Sequence, residues 1–340
     1  MFNAKSYTPS SRAFPHVRLR RNRQHPWLRR SVAETTLSVD DLIQPTFIRM
    51  PHAEREIPSM PGIYRHTVQE AVDYIGRIAD HKIPMTHLFP YYDPEDRREN
   101  VLELLSPENT YCQAIREIKK SSPGIGIIVD VALDCYTQHG QDGLVRDGQI
   151  LNDETLDVIS DYAVTLAEAG ADIIAPSEMM DGRVGVIRQA LDAAGYQHVG
   201  IMSYAAKYSS ALYGPFRDAV GSKKCLGLAD KHTYQMDPRN SNEALREVEM
   251  DIQEGADSVM VKPGTFYLDV LYRVKETFGV PTYVYHISGE YSMLKTTSAA
   301  GYIDYEAAMM ENLIAFKRAG ADGILTYAAE DCAKILERGE

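Results

Sequence analysis

Two lysines in this 340-residue chain stand where an amine can do chemistry. Lys262 closes an apolar run over 258–261, and Pro263 and Gly264 end that run directly after it. An amine so placed leaves an apolar wall and points into whatever pocket the strand end faces. Burial disfavours its ammonium form, so the pKa falls and free amine becomes available near neutral pH to attack a carbonyl carbon. A lone lysine at a strand end more often snorkels to solvent. Lys207, just beyond the apolar run 199–203, shifts that balance. If the two runs are neighbouring strands, their axes lie about 4.8 Å apart, and two ammonium groups in one pocket lower at least one pKa further.

Other chemistry-bearing residues fall at comparable junctions. Asp130, Asp134, His139 and Asp142 cluster at and after the run 125–133, and Ser177 follows the run 172–175. Oxygen-rich ligands of this kind suit magnesium better than zinc; the same carboxylates can instead relay protons or balance the lysines. Ser288 and Tyr327 offer hydroxyls to a carboxylate. The long segment 205–235 carries Phe216, Arg217, Lys231 and Gln235 and has the length of an active-site lid, whose Arg217 and Lys231 would clamp a substrate carboxylate on closure. Its bland alternative is a surface loop with solvated charges.

The elements that must position these groups are legible as eight candidate strands at 43–48, 85–89, 125–133, 172–175, 199–203, 258–261, 282–287 and 323–327. Amphipathic stretches alternate with them. Leu156, Ile159, Ala163, Leu166 and Ala167 mark one helix face, and Met310, Leu313, Ile314 and Lys317 another. A junction of the form Gly-Ala-Asp recurs at Gly170, Gly255 and Gly320, each ending a helical pattern and starting a strand. Glycine suits the position just past a helix, where left-handed dihedrals are needed. Apolar strands alternating with helices imply a parallel sheet covered by helices. Eight such units favour an α/β fold of the (β/α)8 TIM-barrel type, in which chemistry gathers at the C-terminal strand ends. The rival, an open doubly wound sheet, lacks its glycine-rich phosphate loop.

The net charge of −12 hides an asymmetry: residues 1–33 hold eight basic and no acidic side chains, leaving −20 for the remainder. The expected organisation is a basic extended N-terminal arm over 1–33, serving oligomerisation, and a single catalytic barrel over 34–340. An organelle transit peptide is the competing reading of the arm. An acidic body argues against nucleic acid as a partner. No apolar run has the roughly 18 residues of a membrane span, and the four cysteines form no C-x-x-C pair. A soluble protein of the reducing cytoplasm is expected, with no membrane partner.

The chain resembles the porphobilinogen synthase (5-aminolevulinate dehydratase) family over nearly its full length. The resemblance rests on Gly255-Ala256-Asp257 through Lys262-Pro263-Gly264 and Tyr267, on Met202-Ser203-Tyr204-Ala205-Ala206-Lys207, on Tyr213 to Asp218, on Ala175-Pro176-Ser177 through Gly182-Arg183, and on His286-Ile287-Ser288-Gly289-Glu290. It implies condensation of two 5-aminolevulinate molecules to porphobilinogen, with loss of two waters, in heme and other tetrapyrrole biosynthesis. Lys262 would form a Schiff base with one substrate and Lys207 with the other. Ser288 and Tyr327 would hold the first carboxylate, and Arg217, Lys231 and Gln235 the second, with Phe216 also at the substrate. Asp130 and Ser177 would line the pocket. Family members with catalytic zinc carry three cysteines where this chain has Ala132, Asp134 and Asp142, so catalytic zinc is not expected. The chain resembles the aspartate-rich, magnesium-responsive subgroup, with Glu247 at an allosteric magnesium site. Phe14-Pro15 followed by Arg18, Arg20 and Arg21 resembles the family's subunit-hugging arm, implying a homo-octamer of arm-exchanged dimers. The competing activities are a single-lysine Schiff-base aldolase, which would not need Lys207, and a ligand- or metal-binding barrel without turnover.

Overall fold

The computed structural model describes residues 13–339 apart from 99, 104, 227 and 228, without side chains at 103, 223 and 224. Eight parallel strands close on themselves: β1 (Leu42–Arg49), β2 (Met85–Tyr91), β3 (Gly126–Val131), β4 (Ile173–Pro176), β5 (Gly200–Lys207), β6 (Ser258–Lys262), β7 (Thr282–His286) and β8 (Gly323–Thr326). Closure is the pairing of Leu42 with Ile324 and Ile43 with Leu325. All eight runs read from the sequence are strands, and the fold is a (β/α)8 TIM barrel. Strand β5 runs four residues further than its apolar run, so Lys207 is its last residue rather than one beyond it. Tyr327 lies just after β8.

The strands are buried almost throughout because each has a helix on one side and the barrel interior on the other. A fully buried Ile, Leu or Val side chain contributes about 1.5–3 kcal/mol. Ile43, Leu88, Ile128, Ile174, Ile201, Val261, Val284 and Leu325 supply one such residue per strand.

The repeated Gly-Ala-Asp junction has a double purpose. Gly170, Gly255 and Gly320 adopt φ of 109°, 110° and 104°, the left-handed turn after a helix. The aspartate that follows, at the start of its own strand, then accepts a backbone N–H from the preceding strand of the barrel. Asp172 takes that of Ile127 at 2.8 Å, Asp257 that of Ile201 at 2.7 Å, and Asp322 that of Thr282 at 2.7 Å. These bonds fix strand registers at the N-terminal rim, opposite the face where the candidate site residues gather. No helix among the described residues is long and apolar enough to cross a membrane.

The chain divides by its contacts after Thr36. Within the first unit, described from residue 13, a 3₁₀ turn over Leu19–Arg23 precedes a short helix over Pro26–Ser31. Phe14, Leu19 and Trp27 are more than half exposed. The Arg18 guanidinium lies over the Phe14 ring at 4.4 Å.

Candidate active site

Strands β5 and β6 pair in a register that changes once. Met202 opposes Ser258 and Ser203 opposes Val259, but Ala206 opposes Val261 and Lys207 opposes Lys262. One extra residue in β5 forms a β-bulge. Side chains alternate faces along a strand, so this insertion turns Lys207 to the barrel interior, directly beside Lys262.

Lys262 is 2% exposed. Its Nζ lies 4.6 Å from the ring centres of Phe216 and Tyr285, 4.9 Å from Tyr204 and 5.4 Å from Tyr213. Among the described residues no carboxylate forms an ion pair with it. Burial first, and the neighbouring Lys207 second, pull its pKa down to about 7. The shift makes free amine available near neutral pH. Asp130, also buried, is pushed up to about 7 by burial, with Lys262 opposing the rise. Its Oδ1 has no hydrogen-bond partner among the described residues. A near-neutral amine and a near-neutral carboxyl in one cleft are suited to proton exchange around a carbonyl.

Lys207 has the opposite setting. Its Nζ donates to Asp142 Oδ2 at 3.1 Å and to the Ser177 carbonyl. Lys231 donates to Asp134 Oδ2 at 3.0 Å and to Asp142 Oδ1. Burial would raise the Asp142 carboxyl, but Lys207 and Lys231 hold it below the usual range. Burial would likewise lower Lys231, and Asp134 and Asp142 hold it well above its ordinary value. Lys231 thus enters the site as a lid lysine anchored by two carboxylates of the β3 loop.

One narrow cleft joins Asp130, Asp134, Asp142, Ser177, Lys207, Phe216, Arg217, Lys231, Gln235 and Lys262, with Tyr213 beside them. The sequence-derived candidates at the rim therefore converge, save two that stand behind its wall. The Tyr327 hydroxyl bonds that of Tyr285 at 2.6 Å, one ring removed from Lys262. Ser288 is fully buried at the first turn of the helix Ser288–Ala299, and its hydroxyl has no partner among the described residues. An unpaired buried hydroxyl at a helix N-terminus suits an anion.

Glu247 is elsewhere, on the helix Ser241–Glu254. It lines a separate cleft with Asp181, Asp237, Glu243 and the lid end His232–Asp237, including Gln235, which also lines the lysine cleft. Its carboxyl is raised by burial. The structure thus sets Glu247 beside the C-terminal end of the segment expected to form a lid.

Zinc does not fit the β3 loop. Ala132 offers no ligand, Asp134 and Asp142 are occupied by lysines, and burial raises the Cys135 thiol well above its ordinary pKa.

Sequence reasoning missed the groups that hold the segment expected to form a lid. Buried Arg65 donates to the carbonyls of Asp218 and Ala219 at 2.7 Å each, and buried Arg97 donates to that of Val220 at 2.7 Å. These are the carbonyls left open at the end of the lid helix Gly214–Ala219, which carries Phe216 and Arg217. Nothing in the spacing of Arg65 or Arg97 marks them.

Residues 16–335 match the family described as delta-aminolevulinic acid dehydratase. A relative of that description from Bradyrhizobium diazoefficiens is 56% identical over 321 residues, covering 94% of this chain and 91% of the relative. One from Rhodobacter capsulatus is 49% identical, covering 95% and 97%. Among solved structures, the delta-aminolevulinic acid dehydratase (porphobilinogen synthase) of Toxoplasma gondii, in complex with its reaction product porphobilinogen, superposes with a TM-score of 0.92. It is 43% identical, with 95% of this chain and 92% of that one covered.

Proposed function

The chain belongs to the delta-aminolevulinic acid dehydratase family, and we propose how its own residues carry the reaction. It is a porphobilinogen synthase: it condenses two 5-aminolevulinate molecules to porphobilinogen, losing two waters, in tetrapyrrole biosynthesis.

Lys262 attacks the ketone carbon of one substrate; the carbonyl oxygen departs as water and an imine forms. The imine withdraws electrons, so an adjacent carbon gives up a proton, which Asp130, a carboxyl in the same cleft raised to about 7, can accept. Lys207 holds the second substrate in the same way. Two tethered substrates react within one cleft, replacing a bimolecular encounter. Ser288 and Tyr327 receive the carboxylate of the substrate on Lys262. Arg217, Lys231 and Gln235 receive that of the other, the Phe216 ring covers the Lys262 imine, and Ser177 lines the pocket beside Asp130. Asp134 and Asp142 balance the charge of Lys231, and Asp142 that of Lys207 before its amine reacts.

The observation that carries this reading is the direct register of Lys207 with Lys262. Borohydride reduction in the presence of 5-aminolevulinate, followed by peptide mapping, tests it. Adducts on Lys262 and on Lys207 are expected; absence of any adduct on Lys262 would overturn it, and full turnover by Lys207→Ala would favour the single-lysine aldolase.

No step needs a catalytic metal. Magnesium, which keeps several of its waters, would be held at the Glu247 cleft through waters by the carboxylates of Glu247, Glu243 and Asp181, while Asp237 in the same cleft is paired with Arg239. Bound there it would supply positive charge beside the lid and act as a regulator. The arm over residues 1–33, basic and with Phe14, Leu19 and Trp27 exposed, is suited to cover by a second copy with an acidic body. Arm exchange of this kind builds the homo-octamer we propose, in the reducing cytoplasm that the four free cysteines fit.

A further inference from the structure

The bulge that turns Lys207 toward Lys262 is held from outside the barrel. Upstream of the extra residue, Ser203 faces outward and Tyr204 inward. The Ser203 hydroxyl donates to Asp251 Oδ2 at 2.5 Å, and the Tyr204 ring stands 4.9 Å from Lys262 Nζ. Asp251 lies on the helix Ser241–Glu254 and is 3% exposed. Its partner is Arg183, 2% exposed, at the start of the helix Arg183–Ala193. Arg183 Nη2 reaches Asp251 Oδ2 at 2.9 Å, Ser203 Oγ at 3.1 Å and the Tyr204 carbonyl at 3.3 Å. One guanidinium and one carboxylate, from the helices after β4 and before β6, therefore grip two successive residues of β5 where its regular register ends.

We propose that Arg183 and Asp251 are positioning residues that lock the β5 bulge and thereby keep Lys207 opposite Lys262. The inference rests on the two-lysine reading. A buried ion pair gives little net stability compared with an apolar pair of similar volume, so stability alone gives no reason for placing one here. Its geometry does: a carbonyl in an irregular strand has lost its ladder partner, and Arg183 supplies a donor to it. Without the extra residue the strand would return to its regular alternation and Lys207 would face the helices.

The loss of Lys207 from the pair has a signature that general loosening lacks. Lys262 is flanked by Lys207 from β5, Asp130 from β3, Asp134 and Asp142 from the β3 loop, and His87 from β2. Of these charges Lys207 is the one on the bulged strand. Withdrawing it raises the Lys262 pKa, so the acid limb of the pH–rate profile moves to higher pH.

The test uses the full-length assembled protein and three readouts: kcat and KM for 5-aminolevulinate, the midpoint of the acid limb, and the borohydride adducts on each lysine. Ser203→Ala removes one strand of the grip while leaving both charges in place. The double variant Arg183→Met with Asp251→Leu removes the grip and both of its charges; it leaves the buried Glu178 carboxyl, 4.0 Å from Arg183 Nε in the parent, which burial already raises to about 7 and which can go neutral. In Ser203→Ala a kcat loss of about threefold to tenfold is expected, and in the double variant about a hundredfold, with KM changed far less. The acid limb should rise in both, and the adduct on Lys207 should fall relative to that on Lys262. A folded variant with kcat within about twofold of the parent would overturn the proposal, as would a loss of kcat with an unmoved acid limb and unchanged adduct ratio. If the double variant does not fold, Ser203→Ala decides. If the parent itself gives no adduct on either lysine, the two-lysine reading has failed rather than the grip.

Discussion

Replacing Lys207 by methionine separates the two causes of the low Lys262 pKa. The lysines are register partners on adjacent strands, so their chains run about 5 Å apart. Two unit charges at that distance repel by about 3 kcal/mol at an effective dielectric of about 20, or about two pKa units. Asp142 lies 3.1 Å from Lys207 and offsets part of this repulsion. In the variant Asp142 remains and is still held by Lys231, so the field at Lys262 becomes more favourable to its ammonium form. The expected shift is upward by about one to two units, from about 7 in the parent. Burial, the larger cause, keeps it below the ordinary lysine value. Turnover will collapse for want of the second amine, so the assay is single-substrate: the initial rate of borohydride trapping of 5-aminolevulinate on Lys262, measured by mass spectrometry from pH 5.5 to 10 ~ in half-unit steps. The free amine is the reacting form, so a raised pKa moves the rising midpoint to higher pH. A midpoint unchanged from the parent would show that burial alone sets the pKa; a downward shift would refute the charge argument altogether.

Three further outcomes follow from other parts of the molecule. A zinc chelator should leave activity largely intact while magnesium raises it, and Glu247→Gln should remove most of the magnesium response with the magnesium-free rate within about twofold of the parent; inhibition by the chelator that zinc alone reverses would contradict this. Gly289→Ala places a Cβ 2.3 Å from the Leu212 carbonyl oxygen, so the lid turn over Ala211–Tyr213 must move. KM should rise by about tenfold or more in a protein with unchanged circular dichroism, whereas an unchanged KM would show that the turn does not set lid position. Deleting residues 1–33 should convert the assembly to species of dimer size or smaller by sedimentation, and an octamer surviving the deletion would refute the arm's role.

The barrel was legible because its signals are local. A strand buried on both faces is a short apolar run, and a glycine after a helix marks the turn into the next strand; both can be read one segment at a time. The convergence of Asp130, Ser177, Lys207 and Lys262 followed from the rule that strand ends share a rim. What could not be read was anything that depends on a count between two strands. The apolar run at 199–203 ends where the bulge begins, so the alternation that would predict the direction of Lys207 is broken at the place where it matters. The same holds for the lid: Arg65 and Arg97 lie more than a hundred residues from the carbonyls they cap.

One signal was nevertheless present. On the helix Ser241–Glu254 the buried positions are Ala244, Val248 and Asp251, spaced by four and three residues. That is the spacing of a core-facing stripe, and an aspartate in it is a carboxylate directed inward. A carboxylate there must find a buried cation or lose its charge. Arg183, next to a left-handed glycine at φ 84° and in an otherwise apolar helix start, is the cation it finds. Glu247 is four residues earlier on the same helix and lines the cleft shared with the lid. The helix before β6 thus touches the catalytic pair twice without contributing a residue to it, through the lid on one side and through the strand that presents Lys207 on the other. The proximity of the two lysines is a property of this surrounding framework as much as of the strands that bear them.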